Sequence, residues 1–195
     1  MRYISILQHD ITDCGAACLA IICKQYGYKK PISQIREIAG TDKEGTNAFG
    51  LLKAAKELGL SGKGVKGSIE DLTEEIPLPA IAHIVKDNLL HYVVIHRIKK
   101  DKLLIANPAE GLVTYTKDEF SKIWSGVLLL ITPNETFEKK DETKGLFSRF
   151  FTLLIPHNIY INNFFIVIIY IWIKFISILQ FQVHTLTDQN QLDNL

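Results

Sequence analysis

LQHDITDCGAACLAII, residues 7–22, places a thiol, Cys14, at the point where an apolar helix begins. The apolar spacing from Cys14 to Tyr26 predicts that helix, and Gly27 is a usual stop residue. A helix N-terminus favours negative charge, because its unpaired N–H groups and its dipole stabilise a thiolate. Cys14 therefore lies where a thiolate nucleophile is stabilised. Gly15, the next residue, has no side chain to block an approaching segment of the chain. A structural cysteine is the alternative.

Composition limits the classes of function that remain. The chain has 195 residues, a formal net charge of +1 and 22% charged residues, so we expect no nucleic-acid partner. All three cysteines (Cys14, Cys18 and Cys23) fall on one predicted helix, which argues against a disulfide framework and for a reducing compartment. Their spacing does not match structural zinc sites. We expect no metal and no cofactor, and we expect Cys18 and Cys23 to pack in the core.

The rest of the first 133 residues predicts helices followed by strands. Two more helices are expected, over residues 31–40 and 46–59, the second with Thr46 as its cap and Phe49 facing inward. A short helix is expected within residues 116–124. Without βαβ alternation, this order predicts an α+β fold with an antiparallel sheet. The expected strands, rich in β-branched residues, cover 78–85, 91–98, 103–108, 112–116 and 127–132.

A long apolar run lies near the end of the sequence. FFIVIIYIWIKFISILQF, residues 164–181, spans roughly 27 Å as a helix, close to the hydrocarbon thickness of a bilayer. A buried core helix is the alternative. Basic residues precede the run and no Lys or Arg follows Lys174, which places the first 150 residues on the cytoplasmic side of the cell membrane. We expect a domain over 1–133, a charged linker and juxtamembrane segment over 134–158, a transmembrane helix over 159–182 and a short polar tail over 183–195.

A thiol nucleophile also needs a base and a group that orients that base. Of the six histidines, His91 opens a strand directly after a turn, where its ring can reach out from the sheet edge. Asn107 ends the following strand and is the candidate for orienting the ring. Gln8 can donate a hydrogen bond to the oxygen of a tetrahedral intermediate. His83 and His96 lie inside apolar strands, and we expect them to be satisfied sheet residues.

The pairing of His91 with Asn107 depends on the register between their strands. A two-residue turn at Lys100 and Asp101 puts Asn107 opposite Val94, on the face away from His91. A three-residue turn or a bulge returns Asn107 to the face of His91, because a slip of one residue flips every side chain. We expect this odd-numbered connection.

Several stretches together resemble a known family. QHDITDCGAACLAII, REIAGTDKEGTNAFGLLKAAKELGLSGKGVK, HYVVIHRIKKDKLLIANPAEG and FSKIWSGVLLLITP are similar to the bacteriocin-processing peptidase domain of peptidase-containing ABC transporters. That papain-like cysteine peptidase cuts leader peptides after a double glycine. The resemblance covers about residues 5–133 and implies Cys14 as nucleophile, His91 as base, Asn107 as orienting residue and Gln8 as oxyanion donor. It also implies a leader peptide as substrate, and membrane and ATP-binding domains as partners.

The sequence departs from this family in two ways. The family usually has Asp where this chain has Asn107, and Asn cannot stabilise an imidazolium by charge, so we expect activity to be retained but reduced. The chain also ends after one candidate span and has no G-x-x-x-x-G-K-[ST] loop. It is therefore either part of a transporter or a membrane-tethered peptidase.

Two other functions remain as alternatives. A non-catalytic peptidase-like domain can bind a cargo leader for an exporter. Such domains typically lack the cysteine, whereas Cys14, His91 and Gln8 are all present here. A purely structural α+β domain with a membrane anchor leaves the order of these three residues and Asn107 unexplained.

Overall fold

The computed structural model describes residues 3–143 and 169–175. Within residues 3–143, three helices come first and a six-stranded sheet follows, with one short helix before the last strand, as the α+β prediction requires. The helices are α1 (Cys14–Tyr26), α2 (Ile32–Ala39), α3 (Ala48–Glu57) and α4 (Lys117–Ser121). The strands are β1 (Leu60–Lys66), β2 (Ala80–Lys86), β3 (Leu89–Lys99), β4 (Lys102–Asn107), β5 (Gly111–Thr116) and β6 (Trp124–Pro133).

The helix ends follow from local chemistry in most cases. α1 and α2 end, as predicted, at glycines in the left-handed conformation, with φ of 102° at Gly27 and 64° at Gly40. α4 is capped by Thr116, which forms a capping box with Glu119. These three ends are therefore determined by residues that are close together in the sequence.

The start of α3 differs from the prediction. Asn47 caps it, because its side-chain oxygen accepts the N–H of Gly50 at 2.8 Å. The prediction of Thr46 as the cap was wrong, since the Thr46 hydroxyl is buried and bonded to the hydroxyl of Thr41 at 2.6 Å. Phe49 was also predicted wrongly to face inward, because its side chain is 78% exposed.

The sheet separates two apolar clusters. Its strand order is β1-β6-β2-β3-β4-β5, and every neighbouring pair is antiparallel. Side chains alternate between the faces along β3, so that Val94 packs with α1 to α3 while Val93 and Ile95 pack with Phe120 of α4. The sequence prediction missed β1, whose residues are mostly exposed and include glycines, which weaken the strand pattern.

An irregularity in β3 sets its register with β4. The turn between the two strands has two residues, Lys100 and Asp101. The pairing then shifts by one residue between Ile95 and Arg97, so that His96 is the extra residue of a β-bulge. The odd-numbered connection that the sequence prediction required is therefore present, and it comes from a bulge rather than from a longer turn.

The segment after β6 stays attached to the folded body. The backbone of Lys29 donates to the carbonyl of Lys140 at 2.8 Å and accepts from the N–H of Glu142 at 2.9 Å. The compact unit accordingly runs to Thr143. Most of the predicted transmembrane helix and the whole predicted tail lie outside the described residues, although 169–175 is helical. Among the described residues, no helix has the length and apolarity needed to cross a bilayer.

Candidate active site

A single turn of 3-10 helix, Ile11–Asp13, leads the chain into α1 and positions Cys14. Asp10 caps this turn, and the carboxylate of Asp13 accepts the N–H of Asp10 at 3.2 Å. The Asp13 side chain is buried and forms an ion pair with Arg36 of α2. The residue directly before the thiol is therefore fixed both by its own turn and by the neighbouring helix.

The thiol of Cys14 lies in a desolvated environment, with 7% of the residue exposed. Burial is the largest effect and raises the pKa of the Cys14 thiol above its ordinary value. The backbone N–H groups of Tyr92, Gly15 and Cys14 itself lower the pKa but do not compensate. The N–H groups at the start of α1 thus favour the thiolate, as expected, but burial outweighs them. This thiol needs a base to take its proton.

The loop between α2 and α3 closes over Cys14. Residues 44–47 line a cavity of about 280 Å³ together with the thiol. Gly15 makes this approach possible, because a Cβ there would lie 3.1 Å from the Cβ of Thr46 and 3.3 Å from a methyl group of Leu51. The predicted role of Gly15 in admitting another chain segment is thus confirmed. The cavity gives a substrate access to the sulfur.

His91 and Asn107 form the hydrogen bond that the bulge makes possible. Nε2 of His91 lies 2.8 Å from Oδ1 of Asn107, and the backbone N–H of Ala109 donates to the same oxygen at 3.0 Å. A backbone N–H can only donate, so Ala109 identifies this atom as the amide oxygen. Nε2 of His91 must then carry the proton in the bond to Asn107. In the neutral ring Nδ1 is left unprotonated and can accept a proton from a thiol.

Gln8 lies beside this pair. Its backbone N–H donates to the carbonyl of Pro108 at 2.9 Å, and its side chain lines a second cavity of about 280 Å³ with His91 and Asn107. Oε1 of Gln8 is buried and has no hydrogen-bond partner in the part of the chain that the structure describes. A buried polar atom without a partner is costly, so this oxygen is available to accept a hydrogen bond from a donor that enters the cavity.

The four predicted site residues divide between two adjoining cavities. Gln8, His91 and Asn107 surround one, and Cys14 lines the other. Ile11 and Leu90 line both cavities, and both side chains are exposed. The thiol lies beside the backbone N–H of Tyr92, the residue directly after His91 in β3. A ligand lying across Ile11 and Leu90 would therefore contact both halves of the site.

His83 is a second histidine at the thiol. Its ring lines the cavity of Cys14, and its Nδ1 lies 2.8 Å from Oγ of Ser125. Oγ of Ser125 donates its proton to the carbonyl of His83 at 2.9 Å, so Nδ1 of His83 is the donor to Oγ. Burial, and secondarily the nearby His91, lowers the pKa of His83, which favours the neutral ring. The expectation that His83 is a satisfied sheet residue was correct, but it missed that the ring also lines the cavity of Cys14.

The reason for this omission is the pairing of β2 with β6. The register shifts between Ala82 and Ile84, which brings Ser125 to His83, and alternation in the sequence carries no signal for such a shift. His96, by contrast, is satisfied as expected, because its Nε2 lies 2.7 Å from the carbonyl of Ile4. That bond also ties the N-terminal segment, which carries Gln8, to the bulge of β3.

Papain-like cysteine peptidases use a thiol that gives its proton to an imidazole, and a polar side chain orients that imidazole. Cys14, His91 and Asn107 have these features here. The order of helices before an antiparallel sheet is the architecture of the same class. Residues 2–136 match the Peptidase C39 family, a family of cysteine peptidases, and the chain belongs to it.

Two curated relatives of this chain are much longer proteins. It is 43% identical over 152 residues to the lactococcin-G-processing and transport ATP-binding protein LagD of Lactococcus lactis subsp. lactis, a match that covers 77% of this chain and 22% of LagD. It is 34% identical over 161 residues to the transport/processing ATP-binding protein ComA of Streptococcus pneumoniae, covering 80% of this chain and 22% of ComA. The chain thus spans less than a quarter of the length of these relatives.

Solved structures give the same assignment. The peptidase domain of Streptococcus ComA, a bi-functional ABC transporter involved in quorum sensing, is 33% identical with a TM-score of 0.62, and the match covers 68% of this chain and 100% of that domain. A double glycine motif protease from an AMS/PCAT transporter, solved in complex with the leader peptide, is also 33% identical. Its TM-score is 0.64, with coverage of 68% of this chain and 93% of the protease.

Proposed function

We propose that this chain is a cysteine endopeptidase that removes leader peptides after two glycines during peptide export. The observation that supports it most is the bond between His91 and Asn107, because it leaves Nδ1 as the proton acceptor that a buried thiol requires. The matched relatives are named as processing and transport proteins, and one matched structure is a double glycine motif protease with its leader peptide.

The reaction follows from the roles of the four residues. Nδ1 of His91 takes the proton of the Cys14 thiol, and the sulfur attacks the carbonyl carbon of the second glycine. The backbone N–H of Cys14 and the amide of Gln8 donate to the oxyanion. His91 returns its proton to the leaving amine, which releases the mature peptide and leaves an acyl-enzyme. Water, deprotonated by the same ring, then hydrolyses the thioester and frees both Cys14 and the leader.

The surroundings of the thiol suit a substrate without side chains. Ile11 and Leu90 line both cavities, and residues 44–47 line the cavity of Cys14. An extended peptide that passes between these walls must bring its carbonyl to a sulfur that is itself 7% exposed. Glycine permits that close approach of backbone, because it carries no Cβ. The preference for two glycines therefore has a steric basis in this chain.

We also propose the membrane arrangement predicted from the sequence. Residues 159–182 span the membrane as a helix, residues 134–158 connect this span to the peptidase, residues 183–195 are a polar tail, and the peptidase faces the cytoplasm. The support is the apolar run with basic residues before it and the naming of relatives such as LagD and ComA as transport ATP-binding proteins. Membrane and ATP-binding domains of an exporter are the proposed partners.

One alternative is favoured by two observations at the site. The pKa of the Cys14 thiol is raised by burial, and Asn107 carries no charge to stabilise an imidazolium. Both features slow thiolate formation, and a sufficiently slow site would bind a leader without cutting it. The alternative function is therefore a recognition domain that presents cargo to an exporter.

The experiment uses the full 195-residue chain and a synthetic leader ending in Gly-Gly followed by several residues of cargo. Cleavage is followed by mass spectrometry beside Cys14→Ala, His91→Gln and the matched variant His83→Gln. We expect cutting after the second glycine, none in Cys14→Ala or His91→Gln, and retained cutting in His83→Gln. Leader binding without cutting would favour the recognition domain. Loss of cutting in His83→Gln, with cutting retained in His91→Gln, would show that His83 and not His91 is the base.

A further inference from the structure

An ion pair stands at the rim of the cavity that holds His91 and Asn107. Nζ of Lys86, at the end of β2, lies 2.8 Å from Oε1 of Glu110, and both residues line this cavity. Glu110 is held in place by the turn after β4, because its backbone N–H donates to the carbonyl of Asn107 at 3.1 Å. A carboxylate is thus fixed three residues beyond the group that orients the imidazole.

The amide of Asn107 connects the ring to this carboxylate. Its oxygen is committed to His91 and to the N–H of Ala109, so the Asn107 hydrogen bond that lowers the pKa of Glu110 comes from the amide nitrogen. Lys86 is the main cause that lowers the pKa of the Glu110 carboxyl, and the Asn107 side chain and His91 add smaller effects in the same direction. Glu110 is therefore ionised, with Asn107 between it and the ring.

We propose that Glu110 is a positioning residue that supplies, through the Asn107 amide, the negative charge that stabilises the imidazolium of His91. This inference rests on the proposed function, in which His91 becomes positively charged when it takes the proton of Cys14. Asn107 orients the ring but contributes no formal charge. The carboxylate polarises the amide from its nitrogen side, and the polarised oxygen attracts the Nε2–H of the charged ring more strongly.

Other charged groups line or adjoin the cavity of His91, and their signs make the proposal testable. Lys86 opposes Glu110, Asp87 in the turn before β3 adds to it, and His83 lies on the adjacent strand. Removing the cation of Lys86 should therefore act in the direction opposite to removing the anion of Glu110. Both side chains are partly exposed, so each change is modest and is weakened by salt.

The test measures thiolate formation without any leader peptide. The full chain is alkylated with iodoacetamide, the rate at Cys14 is read by mass spectrometry at pH 7, and it is divided by the rate at pH 10. We expect Glu110→Gln to lower this ratio about threefold and Lys86→Gln to raise it. Removing the anion destabilises the imidazolium of His91, whereas removing the cation stabilises it. The matched variant is Glu135→Gln, an exposed carboxylate that lines neither cavity, and its ratio should equal that of the unmodified sequence.

A second background tests the route through Asn107. In Asn107→Asp the carboxylate bonds directly to His91, so adding Glu110→Gln should no longer reduce the ratio. An equal reduction in both backgrounds would overturn the proposal, as would no reduction in Glu110→Gln or the same reduction in Glu135→Gln. Alkylation needs no cleavage, so these outcomes stand apart from the peptidase assay: a failure to cut leaders would remove the proposed function and leave the charge effect measurable.

Discussion

The contact between α2 and α3 leaves no space for a side chain at Gly50, and Gly50→Ala tests this directly. A Cβ at this position would lie 2.3 Å from the carbonyl oxygen of Ala39, the last residue of α2, and 3.5 Å from Oδ1 of Asn47, which caps α3. An ordinary carbon–oxygen contact is about 3.3 Å, so the two helices must separate by about 1 Å. The obstacle is backbone, which cannot rotate away as a side chain does.

The expected cost follows from two opposing effects. Overpacking of a close-packed contact costs about 1–3 kcal/mol, and a backbone obstacle belongs at the upper end of that range. Replacing glycine by alanine within a helix returns about 1 kcal/mol. We expect Gly50→Ala to lower the free energy of unfolding by about 2 kcal/mol. Cleavage should fall as well, because the loop joining these helices lines the cavity of Cys14.

Urea unfolding followed by far-UV circular dichroism measures this change. Gly64→Ala in β1 is the matched control, because its Cβ would lie 3.5 Å from the nearest atom, a methyl group of Leu129, at an ordinary contact distance. Its free energy of unfolding should stay within about 0.5 kcal/mol of the unmodified protein. If Gly50→Ala is as stable as the unmodified protein while Gly64→Ala behaves as expected, the close contact between α2 and α3 is not a constraint on the fold.

Three further outcomes are expected. Asn107→Ala removes the acceptor of the His91 ring and should lower kcat/KM for leader cleavage about a hundredfold with little change in KM, measured by steady-state kinetics; an unchanged kcat would refute its role as orienter. Arg36→Ala leaves the buried Asp13 carboxylate without its partner and should cost about 2 kcal/mol in urea unfolding, whereas Arg36→Lys should cost less. The Lys30 ammonium lowers the pKa of Glu142 to about 2. The contribution of this pair to stability is therefore fully present above the ordinary pKa of 4.5 and is lost as the pH falls to about 2. Hydrogen-exchange protection of the Glu142 amide should decrease over that interval and stay constant above it.

The elements determined by neighbouring residues could be predicted from the sequence. Gly27 and Gly40 end their helices through a left-handed conformation that glycine adopts without strain. Thr116 caps α4 with a glutamate three residues later, a pattern that is complete within one turn. Cys14 could be placed at the start of α1 for the same reason. In each case the deciding interaction spans only a few residues of the chain.

The features that the sequence did not predict depend on distant contacts. Thr46 and Asn47 are both good caps, and Asn47 takes the role because the Thr46 hydroxyl is bonded to Thr41 of the preceding loop. The burial that raises the pKa of Cys14 comes from this loop and from β3, which no local pattern reveals. Phe49 is exposed because α3 presents Leu51 to the core instead. Such outcomes depend on the assembled structure.

The bulge at His96 determines which face of the sheet carries Asn107, and this depends on the number of paired residues between His91 and Asn107. With one extra residue in β3, Asn107 faces the same side as His91, and a single insertion or deletion within the paired strands would turn it to the opposite side. Changes of two residues there would preserve the pairing. In descendants of this gene, the paired strands can therefore change length only in even steps, unless a new bulge arises at the same time or the exposed turn at Lys100 and Asp101 loops out the added residue.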